Sequence, residues 1–307
     1  MEVRTLAFSP DSCTLAVGTD LGQVKLFDFR TGKLLFTLDD VVREKTGGNV
    51  LPKLLELPLA QGNVWAVAFS PDGALLATCG DAIDYNQDGI RRLGRGQSAG
   101  LLKVWDAKTG ELKQHLDGEH SSQVRDIAFS PDGNFLASAG HWESGSGVKL
   151  WDPQSGKVTK VLEVPRGKLG GGSPLCLGFS PDGKRLAMGL MQYDKSTDVT
   201  SGSINVVYPA SGILELSWLV PRSFRPVAFS PNGKTIAAIS DKNVLTLWDS
   251  TTGKPIGEIK TTDLPQGQRL EWFAFSPTGN ALAAGGMDVE HGGFVEVWSV
   301  DGTLRRP

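Results

Sequence analysis

The sequence predicts an all-β fold, a β-propeller of four-stranded antiparallel blades, with six blades visible. Two recurring sequence motifs predict this fold, together with the turn residues that separate short apolar segments. Short strands with one aromatic residue and one turn motif per unit are typical of propeller blades. A single four-stranded sheet cannot bury both of its faces, so neighbouring blades must cover them.

The first phrase ends the first strand of each unit and reads Phe-Ser-Pro. Pro presets φ at the turn after this strand, and Gly accepts positive φ, so the chain reverses into a second strand that carries Leu or Ile before Ala. The spacings between copies are 61, 60, 50, 50 and 46 residues. The copies begin at Phe8, Phe69, Phe129, Phe179, Phe229 and Phe275.

The second phrase is an alternating third strand that ends in an aromatic residue, often followed by Asp. A Thr-Gly or Ser-Gly turn then leads into the fourth strand. In the fourth unit the phrase has decayed, and Val207-Tyr208 stands in its place. We expect the Trp residues of this phrase to be buried between blades. The aromatic residues of the other copies are Phe27, Trp105, Trp151, Trp248 and Trp298.

We expect one domain over residues 1–307, with no helix beyond a turn or two around residues 50–59. Six repeats leave two interpretations open: a six-bladed ring, or part of a longer protein with a seventh blade. The expected blades cover about 1–60, 61–119, 120–172, 173–221, 222–266 and 267–307.

These phrases resemble the WD-repeat propeller family, in particular its bacterial-type members with Phe-Ser-Pro-Asp-Gly, over nearly the whole chain. In that family a His, a turn Asp, a second-strand Ser and the third-strand Trp form a hydrogen-bonded chain. Blade three supplies His120, Ser138 and Trp151, but no Asp stands at the matching turn. We therefore expect packing of the Trp and Phe side chains to provide the stability.

Every insertion falls in a connection between the second and third strands or between successive blades. In an antiparallel meander these connections emerge on the same face, called the top face. Loop variation on a rigid scaffold is a common route to a binding site, although insertions can also be merely tolerated. We favour a functional top face.

The position four residues before each strand-ending Phe should lie at the inner rim of that face. It reads Arg4, Trp65, Arg125, Leu175, Arg225 and Glu271. Arg and Trp are favoured interface anchors, so the rim suits an acidic or aromatic protein segment. The alternative is a set of solvated charges paired with nearby carboxylates. Tyr85 and Trp142 lie in loops expected on the same face.

One segment has the beginning of a calcium loop. Asp84, Asn86 and Asp88 alternate before Gly89, so their oxygens could converge on one hard cation. Position twelve of an EF-hand needs a carboxylate, and Arg95 stands there. An Asx- and Gly-rich turn explains the same residues. Calcium is thus a weak candidate, and we expect no other cofactor.

Composition and charge limit the kinds of partner and metal site that the sequence favours. The net charge of −3 predicts neither a nucleic-acid partner nor a membrane surface. Three Cys and four His, without metal-ligand spacing, favour neither a disulfide framework nor a zinc site. The N-terminus lacks the pattern of a signal peptide. We predict a cytoplasmic, monomeric, non-enzymatic scaffold that binds a protein or peptide. The alternative is a hydrolase-like or lactonase-like propeller enzyme, or the sensor domain of a larger, for example kinase-linked, protein.

Overall fold

The structure, a computed structural model, describes most of the repeat segments and few of the long connections. The described residues are 2–38, 63–82, 99–116, 123–140, 147–163, 172–194, 199–220, 226–239, 244–260, 269–288, 292–299 and 304–305. The turns expected around residues 50–59 lie outside these ranges. Among the described residues there are strands and turns but no helix, so none is long and apolar enough to cross a membrane.

The described strands form six sheets of four antiparallel strands, and in each sheet the strands are ordered as the chain runs. This arrangement confirms the predicted β-propeller class with six blades. Blades one to three contain β1 (Val3–Phe8), β2 (Thr14–Thr19), β3 (Val24–Asp28) and β4 (Leu34–Leu38); β5 (Val64–Phe69), β6 (Leu75–Ala82), β7 (Ala99–Asp106) and β8 (Leu112–His115); and β9 (Val124–Phe129), β10 (Leu136–Gly140), β11 (Gly147–Asp152) and β12 (Lys157–Glu163).

Blades four to six repeat the pattern, and in each blade the four strands are named a to d in chain order. They contain β13 (Ser173–Phe179), β14 (Leu186–Asp194), β15 (Val199–Tyr208) and β16 (Ile213–Val220); β17 (Val227–Phe229), β18 (Thr235–Ile239), β19 (Val244–Asp249) and β20 (Pro255–Lys260); and β21 (Arg269–Phe275), β22 (Ala281–Asp288), β23 (Gly292–Ser299) and β24 (Leu304–Arg305).

The chain divides into two compact units. Unit one contains Met1–Ile127 with Gln154–Gly156, and unit two contains Ala128–Pro153 with Lys157–Pro307. In each unit, apolar side chains from successive blades share a core. In unit one, for example, Ala16 and Leu26 of blade one pack with Val67 and Leu76 of blade two. Burial of such aliphatic side chains is the main term that holds the blades together. That residues 1–307 form one domain stays a prediction.

The turn between strands a and b follows directly from the Ser-Pro-Asp-Gly phrase. In blade two the Ser70 hydroxyl donates to Asp72 Oδ1 at 2.5 Å and accepts the Leu75 N–H at 2.9 Å. Gly73 has a φ of +69°, which an L side chain rarely adopts. A Cβ on this glycine would lie 3.5 Å from Pro10 of blade one. The phrase therefore closes a turn and also packs one blade against the next.

The turn between strands c and d explains why Asp follows the aromatic residue. Asp249 Oδ1 accepts the hydroxyls and backbone N–H groups of Thr251 and Thr252, at 2.6–3.0 Å. These hydrogen bonds stabilise the carboxylate, led by that from the Thr251 hydroxyl, and they lower the pKa of Asp249 to about 2. The pKa of Asp106 is also lowered to about 2, first by the Thr109 N–H and then by Lys113.

Replacing Asp249 by Asn should reduce the loss of stability in acid. Because the folded-state pKa of about 2 lies below the usual 3.8, this contribution is complete above roughly pH 5. It is lost as the pH falls through about 2. Urea unfolding at about pH 5 and pH 2.5 measures the difference, which should be smaller in Asp249→Asn than in the parent. Glu271→Gln, an exposed carboxylate in a strand, is the control; an equal acid response of both variants would contradict the assignment.

The four strand-c Trp residues are buried, as predicted from the repeat. Trp105, Trp151, Trp248 and Trp298 expose between 1% and 7% of their surface. The Trp105 indole N–H donates to Thr78 Oγ1 at 2.9 Å, and that of Trp151 donates to Ser138 Oγ at 2.8 Å. Part of the family's hydrogen-bonded chain is thus present in blades two and three. His120 lies outside the described residues.

Candidate functional site

The predicted rim residues occupy an irregular point in strand a. Between Val3 and Thr5, and between Val64 and Ala66, the pairing with strand b shifts by one residue. The residues left out of the ladder are Arg4 and Trp65. Such β-bulges turn the extra side chain away from the regular alternation of the strand. Leu175 and Glu271 occupy the same place in blades four and six.

Two of the predicted residues contact each other in unit one. The Arg125 guanidinium carbon lies 4.4 Å from the centre of the Trp65 ring, within the range of a cation–π interaction. Both side chains are half-buried. Stacking orients the guanidinium and reduces the entropy that Arg125 would lose when it binds an acceptor. Strands β5 and β9 therefore bring an ordered cation onto an aromatic ring.

Arg4 is an exposed cation near the start of β1. Its guanidinium lies 3.3 Å from Glu2 Oε2, and both side chains face solvent. An exposed pair of this kind contributes little to stability, since water screens it and both side chains lose freedom. Arg4 can therefore exchange Glu2 for a carboxylate of a partner at small cost.

The other predicted site residues lie outside the described part of the chain. They are Arg225, Tyr85 and Trp142 of the predicted binding surface, and Asp84, Asn86 and Asp88 of the calcium candidate. Among the described residues, no group of three or more His, Cys, Asp or Glu side chains could hold a metal ion.

A cleft in unit two was not predicted. It encloses about 460 Å³ between the a–b turns of blades four and five and the c–d turn of blade five. Arg185 crosses it and donates to the carbonyl oxygens of Ser250 at 2.7 Å and Gly233 at 3.0 Å. The only sequence signal is Arg185 itself, which follows Ser180 by five residues. In the other five blades the residue at the position of Arg185, five residues after the turn Ser, is not charged. These residues, whose N–H groups also donate to the turn Ser, are Thr14, Leu75, Phe135, Thr235 and Ala281.

The blades, turns and buried strand-c Trp residues define a repeat protein of the β-propeller class. The family model "WD domain, G-beta repeat" matches residues 1–28, 54–89 and 110–152. These three segments of the chain therefore match WD repeats.

The chain is similar to curated proteins, two of which are named for WD repeats. The chain is 28% identical to WD repeat and SOCS box-containing protein 1 of Danio rerio, over 97% of this chain and 59% of that protein. It is 30% identical to WD repeat-containing protein SL1-17 of Schistosoma mansoni over 47% of this chain and 49% of the relative. It is 27% identical to nuclear distribution protein PAC1 of Arthroderma benhamiae, over 92% of this chain and 67% of that protein. The chain thus spans about half to two thirds of these relatives.

A solved structure shares the fold. Kuenenia stuttgartiensis hydrazine synthase superposes with a TM-score of 0.70 at 18% identity, over 97% of this chain and 77% of that chain. At this identity the similarity concerns the fold alone.

Proposed function

We propose that the protein is a non-enzymatic scaffold that binds a protein or peptide partner on its top face, where the long connections emerge. The contact between Arg125 and Trp65, at the start of two strands a, is the observation that carries the proposal. Relatives with WD repeats support the scaffold class. The proposal includes a cytoplasmic location and no cofactor. An enzyme would favour several acids or His at the rim, and the described rim positions carry Arg, Trp, Leu and one Glu.

The chemistry of the rim favours a partner segment with carboxylates and an aromatic or apolar neighbour. A guanidinium has a planar set of N–H donors that can bind a carboxylate through two parallel hydrogen bonds. Arg4 adds a second, exposed cation in unit one. Trp65 offers the broad apolar surface on which interface energy commonly concentrates. We propose that Arg225, Tyr85 and Trp142 extend this surface.

Removing the rim cations should weaken partner binding at least about tenfold, or about 1.4 kcal/mol. The variant is Arg4→Gln with Arg125→Gln, which keeps Trp65. The ligand is a peptide selected on the intact protein from a random display library, and its dissociation constant is measured by fluorescence anisotropy. Trp65→Ala is a less informative variant for binding, because Arg125 packs on the Trp65 ring. Removing the ring therefore also lowers the stability of the fold.

The matched control removes two cations from the bottom turns, through Lys108→Ala and Lys184→Ala. Both residues are exposed and lie in turns at the opposite end of the blades. The control should bind the peptide as the parent does, and both variants should keep the far-UV circular dichroism of the parent. Loss of binding in the control together with full binding in the rim variant would place the site on the bottom face instead.

A further inference from the structure

Strand d of blade four, β16, differs from its neighbours in charge. It is the outermost strand of its sheet and has eight residues, against seven in β12 and six in β20. Its sequence, ILELSWLV, contains one charged residue, Glu215. The Glu215 carboxylate accepts a hydrogen bond from the Tyr208 hydroxyl at 2.8 Å. Within the described part of the chain, no strand pairs with the outer side of β16.

Two exposed aliphatic residues stand where the neighbouring blades carry charges. Ile213 follows the c–d turn and is 62% exposed, and Leu219 near the end of β16 is 69% exposed. The strand pairing puts Ile213 opposite Tyr208 and Leu219 opposite Ser203. The equivalent residues are Lys157 and Glu163 in blade three and Lys254 and Lys260 in blade five.

Charges, especially Lys, on an edge strand normally prevent it from pairing with another chain, because pairing would bury or oppose them. Blade four lacks this protection at both ends of β16. A register shift at Glu215 interrupts the strand, and Leu216–Val220 beyond it pair regularly with β15. Among the strands that the structure describes, only β15 pairs with these five residues, so their other side is a sheet edge.

We propose that β16 of one copy pairs antiparallel with β16 of a second copy about a two-fold axis. Such a contact is isologous and closes as a dimer. Self-pairing of Leu216–Val220 opposes no like charges, because none of these residues is charged. Self-pairing of β12 or β20 would bring Lys160, Lys260 or their neighbouring charges close to a copy of themselves. The sequence alone predicts a monomer, and the experiment below distinguishes the two states.

The test restores the charges that the neighbouring blades carry. Ile213→Lys with Leu219→Lys places at β16 the residues that blade five has at the same positions, Lys254 and Lys260, so the fold should tolerate them. Sedimentation velocity at about 1–100 µM protein should show a concentration-dependent dimer for the parent. The double variant should dissociate at least about tenfold more readily.

Val161→Lys is the control, because Val161 is a 52% exposed residue of strand d in blade three. The dimer of this variant should have the same dissociation constant as the dimer of the parent. Hydrogen exchange on the parent gives a second measurement: amides of Leu216–Val220 should exchange more slowly at high protein concentration. A parent that stays monomeric throughout, a dimer that survives in the double variant, or exchange that is independent of concentration would each overturn the proposal.

Discussion

Replacing Trp151 by Ala is expected to lower the free energy of unfolding by about 3–5 kcal/mol. Trp151 is 1% exposed, and its indole N–H donates to the buried Ser138 hydroxyl at 2.8 Å. The substitution removes this hydrogen bond and leaves a cavity that the paired strands β10 and β11 cannot close without shifting. Urea unfolding at neutral pH gives the change directly.

Two variants separate the contributions at this site. Trp151→Phe keeps most of the apolar volume and loses the hydrogen bond, so it should cost about 1–2 kcal/mol less than the Ala variant. Trp272→Ala, at a residue 40% exposed, is the control for losing an indole and should have a much smaller effect. If Trp151→Ala unfolds at the same urea concentration as Trp272→Ala, Trp151 does not hold the blade as described.

Replacing Arg185 by Met should lower the free energy of unfolding by about 2–4 kcal/mol, since hydrogen bonds from a charged donor contribute about 1.5–3 kcal/mol each and are not additive. The guanidinium donates to the Ser250 carbonyl, the Gly233 carbonyl and the Ser250 hydroxyl, at 2.7, 3.0 and 3.2 Å. It also lies 5.2 Å from the Phe229 ring centre. Arg185 therefore joins blade four to blade five, and its loss leaves their turns without this link.

Thermal and urea unfolding measure the effect, with Lys184→Met as the control. Lys184 is the exposed neighbour in the same turn and makes no comparable set of contacts among the described residues. Arg185→Lys should fall between the two, because an ammonium keeps the charge but cannot reach several acceptors with a planar fork. Equal stability of Arg185→Met and Lys184→Met would show that these hydrogen bonds do not link the blades.

The repeat class follows from local chemistry, so the sequence predicts it well. Pro and Gly set the a–b turn, and Gly73 has the positive φ that its place in the phrase requires. The Asp after the aromatic residue accepts hydrogen bonds from the c–d turn that follows it. This explains why the Asp and the Thr-Gly turn recur together. These interactions link residues within five positions of each other, and local interactions of this kind leave a direct pattern in sequence.

Contacts between blades leave a weaker pattern. Trp218 of strand d in blade four approaches Trp248 of blade five, with ring centres 6.1 Å apart. In blade four, Val207 occupies the strand-c position where blade five has Trp248. The stacking of Arg125 on Trp65 likewise joins residues that are 60 positions apart in the chain. Neither contact has a motif, because the partners meet only after separate strands have paired.

The sequence by itself determined the all-β class, the number of repeats in this chain, the turn chemistry and the burial of the strand-c Trp residues, since each depends on short-range periodicity. Only the tertiary structure decided how Arg125 is oriented, where Arg185 donates and which residues lie on the outermost strand of blade four. The physical reason is that burial, cation–π geometry and the outer side of a strand are properties of neighbours in space. Residues distant in sequence supply those neighbours, and one sequence read alone does not pair them.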